Sequence, residues 1–259
     1  MGWAALALGK TEIQGAPQSL RRSLRAFGSI LKIDFEHESG PVSGKLPDGS
    51  RRLQGILNPQ LRRYGRMAKE VDYGPLTRLI GLWKGDKGMD VAPIKPQGRG
   101  AGARALPREE NPFRDVIHIE AVGDVTNAEE EVLAIVRYHQ SVFRKSNGEQ
   151  FHDELGYWIW NASRKIVIQS LLIPRAVGLL AGGRVTERKD SVTFKVAARL
   201  QHRDWGILQS PFMRKKARTL GFRRTVVVKG DSMTYSQLTE LEIYGKRFRH
   251  TDENMLTRT

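Results

Sequence analysis

The chain has 259 residues, with 43 Lys and Arg against 28 Asp and Glu, a formal charge of +15, and no cysteine. The missing cysteine excludes disulfides, thiolate metal sites and a Cys nucleophile. At 39% hydrophobic and 27% charged residues, the chain as a whole is not disordered.

No apolar run reaches the roughly 18 residues a membrane-spanning helix needs. The apolar stretch from Met1 to Gly9 lacks a basic flank, so it is not read as a signal peptide. A cytoplasmic location is expected. The positive charge points to a polyanion or an acidic membrane as one class of partner. Two basic concentrations stand out: Lys95, Arg99, Arg104 and Arg108, and then Arg214-Lys215-Lys216, Arg218 and Arg223-Arg224. Both also read as solvated loops and strand faces. No single strand interleaves basic and aromatic residues, so no specific nucleic-acid partner is expected.

Residues 1–66 are set apart by Gly, Pro, Ser and Arg. Leu20, Leu24, Phe27, Ile30 and Leu31 fall at helical spacing among Arg21, Arg22, Arg25 and Lys32, which predicts a basic amphipathic helix over about 18–33. The rest of this extension is expected to be poorly structured. Met67-Ala68-Lys69-Glu70 reads like a natural protein start, so residues 1–66 are either translated upstream sequence or a poorly ordered arm. Pro75–Leu82 is expected to form one or two helical turns before the first strand. Residues 94–108, rich in Gly and Pro, are expected to form a loop.

From residue 113 onward the apolar period is two. Ile117, Ile119 and Ala121 alternate with Val116, His118 and Glu120. Runs at Val132–Arg144, Phe151–Asn161, Lys165–Ile173, Ser191–Gln201, Phe222–Lys229 and Met233–Tyr244 continue the series. Turns are expected at Gly123-Asp124, Asn147-Gly148, Gly182-Gly183 and Gly230-Asp231. The fold class is all-β: an antiparallel up-and-down barrel of about ten strands, calycin-like, with the N-terminal extension outside it. A barrel of this size encloses one small ligand.

The segment Phe151-His152-Asp153-Glu154-Leu155-Gly156-Tyr157-Trp158-Ile159-Trp160 is the richest in chemistry. Alternation puts His152, Glu154, Gly156, Trp158 and Trp160 on one face. They form either a ligand-facing wall or a His–Glu pair on a solvent face. A metal site within the segment is disfavoured because His152 and Asp153 diverge. His250 begins a polar stretch, Thr251-Asp252-Glu253-Asn254, that reads as a turn. A histidine in such a turn is ordinarily exposed, but imidazole is also the common axial ligand of haem iron. His139 can face either the interior or solvent. No Gly-x-Ser-x-Gly, Walker A or dinucleotide motif is present.

Three of these segments, in this order, resemble the nitrobindins, the fatty-acid-binding-protein-like haem-binding β-barrels. Gly81-Leu82-Trp83-Lys84-Gly85 resembles the opening Gly-x-Trp-x-Gly-x-Gly, with Lys87 in place of the last glycine and Gly88 after it. Phe151–Tyr157 resembles the His-x-Glu-x-Gly-aromatic strand. Gln169–Gly183 resembles the following strand and turn, and His250 the iron-binding histidine near the end. The resemblance spans residues 70–259. It implies a ten-stranded barrel holding haem b, with His250 as the proximal iron ligand. His152 would be the distal catalytic residue, and Gly81, Trp83, Gly85 and His152 would belong to the cofactor site. It also implies nitric oxide binding and isomerisation of peroxynitrite to nitrate. A haem-free carrier of a fatty acid or other apolar ligand is the alternative. A small-molecule partner is expected and a homodimer is left open.

Overall fold

The computed structural model describes residues 71–97 and 105–259. The expected helix at 18–33, the extension to residue 66 and the middle of the 94–108 loop lie outside the described residues. Among the described residues a 3-10 turn, Gly74–Arg78, leads into eleven strands: β1 (Gly81–Pro93), β2 (Arg108–Asn127), β3 (Glu131–Arg144), β4 (Gln150–Asn161), β5 (Ile166–Ile173), β6 (Val177–Glu187), β7 (Val192–Arg199), β8 (Ile207–Gln209), β9 (Ala217–Lys229), β10 (Ser232–Ile243) and β11 (Lys246–Arg258). A short helix, α1 (Pro211–Lys216), follows β8.

Ten of the strands close a circle in the order β5-β4-β3-β2-β1-β11-β10-β9-β7-β6, and β6 pairs back to β5. All pairs are antiparallel. The three-residue β8 lies outside the circle, paired with β6. Closure satisfies the backbone donors and acceptors that an open edge would leave bare. The inward residues follow the two-residue period: Val192, Phe194, Val196 and Ala198 on β7 are buried, as are Ile117 and Ile119 on β2.

One end is plugged. Leu76 and Leu79 beside the 3-10 turn are buried, and so is Trp83 on β1, whose indole N–H donates to the Leu79 carbonyl at 2.7 Å. The Arg258 guanidinium stacks on the Trp83 ring, 4.1 Å from its centroid.

Several expected boundaries move. Strand β1 begins at Gly81, inside the segment expected to be helical. Gly123-Asp124 and Gly182-Gly183 are not turns but lie within β2 and β6. Gly123 sits at a register shift against β3, with φ of 135°. A Cβ at Gly182 would meet the Trp205 ring at 2.1 Å, and one at Gly183 the Lys195 carbonyl oxygen at 1.7 Å. These two glycines serve close packing rather than chain reversal. Thr251–Asn254 is not a turn either, because β11 runs unbroken from Lys246 to Arg258.

In β1 the register against β2 steps from Gly85–Asp115 to Gly88–Phe113, so three residues on β1 span two on β2. This is a β-bulge of one extra residue. It accounts for the displaced motif: Gly88 takes the buried position, where a Cβ would meet the Phe113 ring at 2.2 Å, and Lys87 points out to solvent.

Candidate functional site at the barrel mouth

The end opposite the Trp83 plug is a cavity of about 370 Å3, within the size range of small-molecule sites. One wall is apolar, built by Phe113, Val142, Phe151, Ile173, Val177 and, from α1, Met213. The α1 N-terminus is fixed by Ser210, whose hydroxyl accepts from the Met213 N–H at 3.2 Å. The Arg214-Lys215-Lys216 run on this helix is exposed. Arg144 and Arg175 also line the mouth. Arg144 stacks on Phe151, 4.5 Å from its centroid, and Arg175 donates to the Phe151 carbonyl at 3.4 Å.

The opposite wall holds Asp90, His250 and Asp252. Asp90 on β1 is the register partner of Asp252 on β11, and His250 lies two residues before Asp252 on the same inward face. His250 Nε2 lies 2.5 Å from Asp90 Oδ1 and 3.6 Å from Asp252 Oδ1. Asn111 donates to Asp90 at 3.0 Å and Gln237 to Asp252 at 3.2 Å. Burial raises the Asp252 carboxyl to about 6; the positive His250 opposes that rise and the Asp90 charge adds to it. Burial also pushes Asp90 up, but its bond to His250 outweighs this and holds it below the ordinary carboxylate value. Burial lowers His250, yet its bond to Asp90 and the nearby Asp252 charge carry it above the ordinary value.

A buried chain of polar contacts leads from this cluster to the second histidine. Gln237, bonded to Asp252, accepts from Arg224 Nε at 2.9 Å and from its Nη2. Arg224 makes a bidentate pair with Glu154 at 2.6 and 2.9 Å, and Glu154 lies 3.5 Å from His152 Nε2. Tyr138 donates to Glu154 at 2.6 Å. Burial alone would raise Glu154, but the Arg224 charge holds its carboxyl well below the ordinary range. Below the cluster, Asp115 accepts from Gln140 at 2.8 Å, Tyr235 at 2.8 Å and Asn254 at 2.7 Å. Its burial still leaves it raised.

The structure therefore brings His152 and His250 to one cavity. His152, Glu154, Gly156, Trp158 and Trp160 do share the inward face, and Asp153 points outward to bond His139, at 2.8 Å, on the barrel exterior. Gly81, Trp83 and Gly85 do not line the cavity. They sit toward the plugged end, where Trp83 fills space, and Cβ atoms at Gly81 and Gly85 would meet Arg258 at 2.9 Å and Asn254 at 2.7 Å. Lys87, facing solvent, does not alter the mouth. Sequence reasoning missed Asp90, Asp252, Arg144 and Arg175. Asp252 was visible as the i+2 neighbour of His250 once that segment is taken as strand. Asp90 had no local signal, because the bulge precedes it.

The fold and cavity define a ten-stranded β-barrel with an open cavity and a polar, histidine-bearing wall. The family model for the THAP4-like, heme-binding beta-barrel domain matches residues 72–258, and the chain belongs to that family. A solved structure, Rv2717c from M. tuberculosis, is similar in fold at a TM-score of 0.52 and 18% identity, covering 73% of this chain and 99% of that one. The search of curated proteins found no match.

The cavity's features fit a haem in two respects. The apolar wall suits a flat macrocycle, and Arg144 and Arg175 at the rim suit carboxylate tails. An imidazole also lines the wall, with one condition. Its Nε2, the nitrogen remote from the backbone, is held by Asp90 and must exchange that partner to bind iron.

Proposed function

We propose that the barrel binds haem b in this cavity, where His250 would hold the iron and His152 would meet a small ligand entering the cavity. The observation that carries the reading is the inward imidazole of His250 on the cavity wall. When bound, the haem would supply an iron position for nitric oxide or for an anionic oxidant such as peroxynitrite.

The chain's own groups do the rest. The apolar wall would shield the macrocycle from water. Arg144 and Arg175 at the rim would pair with its carboxylates. His152, anchored by Glu154, can donate a hydrogen bond to an anion in the cavity. Arg224, fixed by Glu154 and Gln237, holds positive charge in the wall. Isomerisation of peroxynitrite to nitrate is the reaction this arrangement would serve.

The test is hemin titrated into the full chain, wild type beside His250→Ala. A saturable Soret shift, lost in the variant, is expected. An unchanged spectrum in His250→Ala removes that residue's role. Absence of a shift in the wild type favours a haem-free apolar-ligand carrier.

A further inference from the structure

We infer that Asp90, His250 and Asp252 form a mononuclear site for a divalent first-row transition-metal ion, occupied when no porphyrin is bound. Their donor atoms, one from each side chain, all lie within 4.8 Å of one another. The group combines an imidazole with two carboxylates drawn from two adjacent strands. Both carboxylates are largely enclosed, with side-chain exposures of 5% for Asp90 and 19% for Asp252. Both have His250 as their ion-pair partner, so two acids share one cation.

The spacing is close to what an ion requires. Bonds of about 2.0–2.2 Å to nitrogen and oxygen put neighbouring ligand atoms roughly 3.0–3.5 Å apart. The His250–Asp252 separation of 3.6 Å is already there. The His250–Asp90 separation of 2.5 Å has to open by about 0.5–1 Å as the ion replaces the hydrogen between them. Strand register fixes the two aspartates opposite each other, so a side-chain adjustment suffices.

The mixed donor set selects the class of ion. An imidazole with carboxylates suits zinc, manganese, iron or cobalt(II), whereas magnesium and calcium take oxygen ligands alone. Three protein donors leave the remaining coordination positions open to the cavity, as in catalytic rather than structural metal sites. Asn111 on Asp90 and Gln237 on Asp252 supply the outer hydrogen bonds that orient ligating carboxylates.

Direct binding of the ion does not depend on the haem reading. A second consequence does: His250 cannot serve both, so metal and hemin must exclude each other.

The experiment uses the full chain stripped with a chelator. Zinc chloride is titrated calorimetrically and cobalt(II) chloride by visible absorption. One ion per chain is expected, with d–d bands for cobalt, and affinity falls about tenfold or more in Asp90→Asn and in Asp252→Asn. Zinc then slows hemin uptake by the wild type. Absence of heat and of d–d bands up to about 1 mM ion, an affinity too weak to hold an ion in a cell, overturns the site. Binding that survives both substitutions places the ion elsewhere and also overturns it. If either variant fails to fold, the cobalt spectrum of the wild type still decides, since bands without nitrogen ligation refute a site built on His250. Zinc binding with no hemin uptake would refute the haem reading and leave this one standing.

Discussion

Replacing Asp252 by Asn should stabilise the metal-free protein at neutral and alkaline pH. Asp252 has an ordinary value of 3.8, raised in the fold to about 6. The fold therefore favours its protonated form. That contribution is fully present below pH 3.8 and is lost as pH rises through about 6. Above that, ionising the buried carboxyl costs on the order of 3 kcal/mol. Asn cannot ionise, so it avoids this cost, but His250 loses one of its two acidic neighbours. We expect a net gain of about 1.5–3 kcal/mol at pH 8, which for a domain of this size is a melting-temperature rise of roughly 3–12 °C. Thermal melts of both proteins in chelator, at steps from pH 4 to pH 8, are the assay. The gap should be smallest at pH 4 and open between pH 4 and 6.5 as Asp252 ionises. A variant that melts no higher at pH 8, or a gap independent of pH, would refute the electrostatic reasoning.

The Glu154–Arg224 pair should be costly to break from one side. Glu154→Gln leaves a buried guanidinium without its countercharge and is expected to lose about 3–5 kcal/mol by urea unfolding. The double change with Arg224→Met should recover part of that loss; equal destabilisation in the single and double variants would argue against a charge effect. Gly156→Ala should destabilise by at least about 1–3 kcal/mol, because its Cβ would lie 1.9 Å from the Ser170 carbonyl oxygen on β5. A soluble variant with unaltered melting would mean that β4 and β5 separate more readily than their register suggests.

The barrel itself was legible because its signal is local. Alternation along Val192–Arg199 or from His152 to Trp160 names the inward face without knowledge of any partner strand, and the order of the three motifs pointed to the family. What misled was residue type without tertiary context. Gly182-Gly183 has the composition of a turn, but its glycines make room for Trp205 and the Lys195 backbone. Thr251–Asn254 is as polar as a loop, yet Asn254 and Asp252 turn inward to meet Asp115 and Gln237. A polar interior reverses the usual sign of burial, so hydrophobic patterning fails where the cavity lies. The Arg144 and Arg175 rim has the same origin: both residues read as ordinary surface cations until the strand ends are brought together.

The bulge in β1 acts on parity. Had the strand continued unbroken from Trp83 and Gly85, positions 87 and 89 would share their face. A lysine ammonium and a methionine would then look into the barrel, and Asp90 would lie outside in water. The extra residue exchanges odd for even along the rest of the strand, so Asp90 is inside and Lys87 outside. The sign of the charge offered to whatever enters the cavity is thus set by a shift of one residue in the backbone.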